Sequence, residues 1–131
     1  MSDLSHDEHA AEAKQRWGGT EQYRQSAART GSYTDADWAG IKQELEAIEA
    51  DFAEAMVGGV SPQDDRALEL AERARSHIDR WYYTCSRAMH AGLADMYTAD
   101  ERFRAHYDDR HEGLAEYVSA AIKANAARNS A

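Results

Sequence analysis

The chain has 131 residues, 43% of them hydrophobic and 30% charged, as expected for one globular domain. Its 15 Lys and Arg against 24 Asp and Glu give a formal net charge of −9, which disfavours nucleic acid and anionic membranes as partners. The sequence begins without the basic and apolar regions of a signal peptide, and its single cysteine fits a reducing compartment. We therefore expect a cytoplasmic protein with no membrane partner.

Residues 1–33 contain few large apolar side chains after the initiator. These are Leu4, Trp17, Tyr23 and Tyr33. Capping residues and glycines predict two short helices, one between Ser5 and Gly18 and one from Thr20 to about Gly31. Because short helices with little apolar surface are marginal in water, we predict that this segment orders only when something packs on it. Residues 34–131 are then the permanent core.

From Thr34 onward the apolar spacing is helical. Thr34 with Asp37 predicts a capping box for a long helix. Its apolar stripe is Trp38, Ile41, Leu45, Ile48, Phe52 and Met56. Ser61 and Pro62 predict the start of a second long helix that runs to about Tyr83. Its predicted inner face is Ala67, Ala71, Ala74, Ile78 and Trp81.

The rest of the chain is helical by the same criteria. Residues 84–86 predict a corner, after which Ser86 caps a short helix with Met89, Leu93, Met96 and Tyr97. Thr98 with Glu101 predicts another capping box, and a last helix covers residues 111–127. Since no alternating strand pattern competes, the predicted fold is all-α, an irregular helical bundle.

Six histidines raise the question of a metal site. The Glu-x-x-His pairs of di-iron bundles are absent, and one cysteine with scattered histidines does not supply the four ligands of a zinc site. Nothing pairs a proximal histidine with an apolar slot for haem. We expect exposed or hydrogen-bonded histidines, with no metal and no cofactor. Phosphate-binding loops and nucleophile elbows are also missing, which argues against a hydrolase.

Cys85 stands immediately before the helix that Ser86 is predicted to cap, where the positive end of the helix dipole favours a thiolate. Arg80 and Arg87 are near it in sequence, and His90 lies about one helical turn further on. A buried, inert thiol is the alternative, and these residues by themselves leave both interpretations open. The aromatic run Trp81-Tyr82-Tyr83 likewise fits either a core or a binding surface.

Residues 77–86, His-Ile-Asp-Arg-Trp-Tyr-Tyr-Thr-Cys-Ser, resemble the signature of the TipAS antibiotic-recognition domain, the C-terminal domain of a MerR-family bacterial regulator. The similarity continues through Met89-His90, Gly92-Leu93, Met96-Tyr97 and Arg102-Phe103. Upstream it includes Trp17, Tyr23 and Asp37-Trp38, and downstream Gly113-Leu114 and Tyr117. The resemblance therefore covers nearly the whole chain and is densest in residues 77–108.

This resemblance implies a globin-like fold without haem, around a cleft that binds thiostrepton-like thiopeptide antibiotics, with residues 1–33 as a lid. It implies that the Cys85 thiolate adds to a dehydroalanine of the antibiotic and gives a stable thioether, without enzymatic turnover. Adaptable methionines and flat aromatic rings suit such ligands. The candidate ligand-binding residues are Trp17, Tyr23 and Tyr33 on the lid, and His77, Trp81, Tyr82, Met89, His90, Leu93, Met96 and Tyr97 on the core.

The DNA-binding domain and coiled coil of the family's long form are not in this sequence. We therefore expect a monomer that sequesters or senses the antibiotic and does not contact nucleic acid itself. Two alternatives remain at this point. One is a helical interaction module that docks on a MerR-type regulator, and the other is a transferase that uses a Cys85–His90 pair.

Overall fold

The computed structural model describes residues 20–129, and every regular element in that range is a helix. The helices are α1 (Glu21–Thr30), α2 (Asp35–Val57), α3 (Asp65–Trp81), α4 (Arg87–Ala99), α5 (Glu101–Arg110) and α6 (Leu114–Arg128). The all-α prediction is confirmed. The predicted helix between Ser5 and Gly18, and Trp17 with it, lie outside the described residues. No helix within residues 20–129 is long and apolar enough to cross a membrane.

Helix α6 is the centre of the bundle, because it packs against α2, α3, α4 and α5. A helix surrounded in this way is apolar on most of its circumference, and α6 accordingly contributes five residues to the core. The core consists of Ile48, Phe52, Ala55, Ala67, Leu70, Ala71, Ala94, Leu114, Tyr117, Val118, Ala121 and Ile122. Helix α1 lies outside this core and packs on α3.

Three of the predicted helix starts are confirmed by their capping hydrogen bonds. Thr34 and Asp37 form the reciprocal box: Asp37 N donates to Thr34 Oγ1 at 3.1 Å, and Thr34 N donates to Asp37 Oδ2 at 2.9 Å. Thr20 accepts from Tyr23 N at 3.1 Å. Ser86 accepts from Met89 N at 3.1 Å, so the cap directly after the cysteine is also present.

Two predicted starts are wrong because a neighbouring aspartate provides the cap. Helix α3 begins at Asp65, and its cap is Asp64, which accepts from Arg66 N at 3.0 Å, whereas Ser61 caps only the preceding turn. Likewise the cap of α5 is Asp100 and not the predicted Thr98, since the Asp100 carboxylate accepts from Arg102 N at 2.9 Å. A carboxylate accepts these amide hydrogens more strongly than a hydroxyl does.

The long helices also differ from prediction at their ends and inner faces. Helix α3 ends at Trp81 rather than Tyr83, because the amides of Tyr82 and Tyr83 both donate to the carbonyl of Ile78. Helix α6 begins only after Gly113, whose φ of 87° is left-handed and suits glycine. On α3 the predicted stripe omitted Leu68 and Leu70, which are 3% and 0% exposed.

Candidate functional site

Cys85 lies in the corner between α3 and α4, and both of its peptide groups are held by side chains of α3. Its N–H donates to Asp79 Oδ1 at 2.8 Å, and its carbonyl accepts from Arg75 Nη1 at 2.6 Å. The residue is 1% exposed, and Sγ donates to the Ser86 carbonyl at 3.7 Å. The lone thiol of the chain is therefore fixed in the interior, directly before the capped start of α4.

Of the two interpretations left open for Cys85, the structure agrees with the buried thiol and not with a low-pKa thiolate. Burial raises the pKa of Cys85 to about 11, while Arg75 acts in the opposite direction and Asp79 and Glu72 add to the increase. Desolvation disfavours the charged form of a thiol, and here it outweighs the favourable position at a helix N-terminus. The thiol is thus protonated and protected at neutral pH.

The two arginines expected near the thiol are directed elsewhere. The guanidinium of Arg80 lies over the Trp81 ring, 4.9 Å from its centroid, and Arg87 pairs with Glu72 at 3.1 Å. Sequence reasoning missed Arg75, which is the cation that contacts the Cys85 corner. No local signal marks it, because its approach to a residue ten positions later depends on how the chain turns after α3.

Glu72 connects this corner to the rest of the bundle. Its carboxylate accepts from Arg75 at 2.6 Å, from Arg87 of α4 at 3.1 Å and from Asn125 Nδ2 of α6 at 3.1 Å. The hydrogen bond from Arg75 is the main reason that the pKa of Glu72 is lowered to about 2. One carboxylate therefore joins α3, α4 and α6 beneath the cysteine.

His90 is the exception among the four histidines of residues 20–129. His77, His106 and His111 are hydrogen-bonded, as predicted, but His90 is 1% exposed and neither ring nitrogen has a hydrogen-bond partner in the described part of the chain. The Cys85–His90 pair of the transferase hypothesis is consequently not formed in this structure. Burial, reinforced by Arg75, lowers the pKa of His90 to about 4, so its imidazole is neutral.

We predict that His90 makes the fold acid-sensitive. The pKa of His90 is about 4 in the folded chain and 6.5 in the unfolded chain, so the unfolded chain binds a proton at higher pH. The free energy of unfolding is therefore highest above pH 6.5 and decreases as the pH falls toward 4. The expected loss is about 3 kcal/mol. Urea unfolding at several pH values should show this slope in the wild type and not in His90→Leu, whereas the exposed-site control His111→Gln should retain it. An unchanged slope in His90→Leu would disprove the assignment.

Four of the predicted ligand-binding residues form one aromatic cluster. The Tyr33 ring makes edge contacts with Trp38 at 5.5 Å and with Trp81 at 5.7 Å between centroids. Tyr82 lies 6.3 Å from Trp38 and 6.2 Å from His77. The structure thus brings Tyr33, His77, Trp81 and Tyr82 together and adds Trp38, whose helical spacing had suggested only a core position.

Glu44 fixes two members of this cluster. It lies 2.5 Å from His77 Nδ1 and accepts from Trp81 Nε1 at 3.0 Å, and the contact with His77 is the main cause that lowers its pKa. Sequence reasoning missed Glu44, because a glutamate on the flank of an amphipathic helix carries no distinguishing signal. Beside it a groove of about 580 Å³ is lined by Glu44, Ile48, Glu69, Glu72, Arg73, Ser76, His77 and Arg80.

The other candidates lie along α4 or on α1. Met89, Leu93 and Met96 are partly buried on α4, and Tyr23 is partly buried on α1. Tyr97 makes tilted ring contacts with Tyr107 at 5.3 Å and Phe103 at 5.7 Å, so it packs against the core rather than in the aromatic cluster. Burial, with a smaller contribution from Cys85, raises the pKa of Tyr83 to about 12, and burial is also the main cause that raises the pKa of Tyr97. Tyr83, the last member of the aromatic run that precedes the cysteine, therefore belongs to the surroundings of the thiol.

The segment that precedes α2 contacts the core mainly through the corner before Cys85. Gln25 accepts from Thr84 N at 2.8 Å, Arg29 donates to the Asp79 carbonyl at 2.5 Å, and the Tyr33 hydroxyl donates to the Trp81 carbonyl. Helix α1 itself has no buried residue. Polar contacts, together with the ring of Tyr33 in the aromatic cluster, hold this segment against the corner. Within residues 20–129, no group of three or more His, Cys, Asp or Glu is placed to hold a metal ion.

The described part of the chain is a helical bundle with one buried thiol and an aromatic cluster that adjoins a groove. Comparison with known proteins identifies the class of ligand-binding domain: the TipAS antibiotic-recognition domain matches residues 9–125, and the chain belongs to this family.

Two curated relatives are transcriptional activators. TipA of Streptomyces coelicolor is 39% identical over 129 residues, which are 98% of this chain and 51% of the activator. The activator mta of Bacillus subtilis is 32% identical over 124 residues, 93% of this chain and 47% of that protein. The chain thus spans about half the length of these relatives.

A solved structure shows the same fold. TipAS from the thiopeptide antibiotic multidrug resistance system of Streptomyces lividans, in complex with nosiheptide, superimposes with a TM-score of 0.90. The two sequences are 39% identical, and the match covers 98% of this chain and 90% of TipAS.

Proposed function

We propose that this chain binds thiopeptide antibiotics and holds them by a thioether to Cys85. The observation that carries the proposal is the similarity to the nosiheptide complex of TipAS over 98% of the chain, at 39% identity. The arrangement supports it, since the single thiol follows Trp81 and Tyr82 by four and three residues, and these two belong to an aromatic cluster that suits flat heteroaromatic rings.

The proposed bond formation is an addition in which no group leaves. The Cys85 thiol gives its proton to solvent, and the sulfur electron pair forms a bond to the CH₂ carbon of a dehydroalanine. The π electrons of the alkene move to Cα, which takes a proton from water. Since no step restores the thiol, each chain captures one ligand, and the domain is a binding protein rather than an enzyme.

Residues 1–33 act in this proposal as a lid that orders on the ligand. The support is the set of polar contacts from Gln25, Arg29 and Tyr33 to residues 79–84, which precede the thiol directly. A lid that leaves the corner also removes the hydrogen bond at Thr84 N, one residue from Cys85. Opening of the lid therefore gives the buried sulfur a route to the ligand. The proposed lining is the predicted set: Trp17, Tyr23, Tyr33, His77, Trp81, Tyr82, Met89, His90, Leu93, Met96 and Tyr97.

We further propose that the chain works in the cytoplasm as a monomer that sequesters or senses the antibiotic. The activators that contain related domains are about twice as long, which fits a sensor domain of a transcription regulator.

Calorimetric titration with nosiheptide tests the proposed function. We expect one ligand per chain, and Trp81→Ala should weaken binding about tenfold or more, because a large aromatic contact is typical of a binding hot spot. Glu46→Gln, an exposed change on α2, is the control and should bind like the wild type. Absence of any heat of binding in the wild type, with the fold verified by circular dichroism, would refute the proposal.

A further inference from the structure

Arg75 divides its hydrogen bonds between Glu72 and the Cys85 corner. Its Nε and Nη2 donate to the Glu72 carboxylate at 3.1 Å and 2.6 Å, while Nη1 donates to the Cys85 carbonyl at 2.6 Å. Glu72, by contrast, is directed at Arg75, Arg87 and Asn125. The guanidinium therefore holds the backbone of Cys85, and both charges of the ion pair act on the thiol, Arg75 in favour of the thiolate and Glu72 against it.

We propose that Arg75 is a positioning residue for covalent capture, which holds the Cys85 corner and stabilises the attacking thiolate, in place of a histidine base. This inference rests on the proposed addition of Cys85 to the ligand. An opposite charge within a few ångströms favours an ionised group, and the effect is strongest where water is excluded. Once the corner opens, the desolvation that now protects the thiol decreases, while Arg75 remains attached to the Cys85 carbonyl.

The state of His90 supports this assignment. Its ring is 1% exposed and has no hydrogen-bond partner among the described residues, and it responds electrostatically to the same two residues, Arg75 and Glu72. A guanidinium beside a buried imidazole disfavours imidazolium, so His90 is a weak acceptor for the thiol proton. In the addition described above, that proton goes to solvent, and the negative charge left on sulfur is compensated by Arg75.

Alkylation of the full chain with iodoacetamide measures the thiolate directly. The thiolate displaces iodide, and because Cys85 is the only cysteine, intact mass gives its rate without ambiguity. At pH 8 we expect Arg75→Met to react about tenfold more slowly, which corresponds to a pKa increase of one unit. Arg75→Lys retains the charge and should stay within about threefold of the wild type.

Variants of Glu72 and Arg87 distinguish an electrostatic effect on the thiolate from a loosening of the Cys85 corner. Glu72→Gln removes a negative charge near the thiol but keeps a hydrogen-bond acceptor, and should react about threefold faster. Arg87→Met removes a hydrogen bond to the Glu72 carboxylate but leaves the contact between Arg75 and Cys85 intact. It should change the alkylation rate less than about twofold. Methyl 2-acetamidoacrylate, a small dehydroalanine ester, should give the same order of rates.

Whether Arg75→Met is alkylated more slowly or faster than the wild type decides whether Arg75 stabilises the thiolate. If Arg75 only holds the corner in place, its loss exposes the thiol, and Arg75→Met reacts as fast as the wild type or faster, which overturns the proposal. If Arg75→Met does not fold, Glu72→Gln decides alone, and a rate equal to or below the wild type overturns the proposal. Because iodoacetamide needs no antibiotic site, failure of nosiheptide binding with this order of rates intact would refute only the proposed function.

Discussion

Replacement of Cys85 by Ser removes the permanent adduct with a dehydroalanine-bearing thiopeptide such as thiostrepton, but leaves reversible binding within about tenfold of the wild type. The two effects separate because the aromatic cluster provides the contacts, whereas the sulfur provides the bond. A hydroxyl is a far weaker nucleophile than a thiolate at neutral pH. The measurement is intact mass under denaturing conditions, paired with calorimetry under native conditions.

The substitution also carries a structural cost that the control must account for. Cys85 is 1% exposed, so a hydroxyl in its place is buried, and Cys85→Ala is the apolar counterpart. Both variants should fold and bind, and neither should gain ligand mass after denaturation. A persistent ligand mass on either variant would show that another residue forms the bond.

Trp17→Ala weakens thiopeptide binding about tenfold or more, while the melting temperature of the empty chain changes by less than about 2 °C. The reason is the composition of the lid. Its described helix, α1, buries no residue and rests on the core through polar contacts, so it contributes little to stability before the ligand arrives. Ordering the segment costs about 1–2 kcal/mol per residue, which aromatic contacts such as Trp17 must offset.

Hydrogen exchange provides the second readout for the lid. Amides of residues 1–33 should exchange rapidly in the empty chain and become protected when ligand is added, whereas those of α2 and α6 are protected in both states. Ala28→Ser, an exposed change in α1, is the matched control and should bind normally. If Trp17→Ala instead unfolds the empty domain, the segment belongs to the permanent core and is not a lid.

The fold was predictable where local chemistry decides it. The reciprocal cap of Thr34 and Asp37 and the cap at Ser86 follow from short-range hydrogen bonds that the sequence encodes directly. The start of α3 was not, because Ser61-Pro62 and Asp64-Asp65 offer competing starts, and the carboxylate of Asp64 provides the cap. A carboxylate is the stronger acceptor for the free amide hydrogens of a first turn.

Some of the contacts among the predicted site residues follow from the sequence, but their electrostatics do not. The family signature contains His77, Trp81 and Tyr82, and the structure brings these three side chains into one aromatic cluster. Proximity in sequence, however, suggested Arg80 and Arg87 as the cations near the thiol, whereas Arg75 is the one that contacts its corner. Burial depends on the assembled bundle, so local sequence could not decide between a thiolate and a buried thiol at Cys85, nor show that the His90 ring has no hydrogen-bond partner among residues 20–129.

Peptide mapping of the wild-type chain after incubation with thiostrepton tests the central claim most directly. The account predicts that the intact protein gains the mass of one antibiotic, that the gain survives denaturation, and that it maps to the peptide containing Cys85. The rate should increase with pH, since the thiolate is the reacting form. A wild-type chain that binds the antibiotic but never gains its mass during prolonged incubation would contradict covalent capture through Cys85.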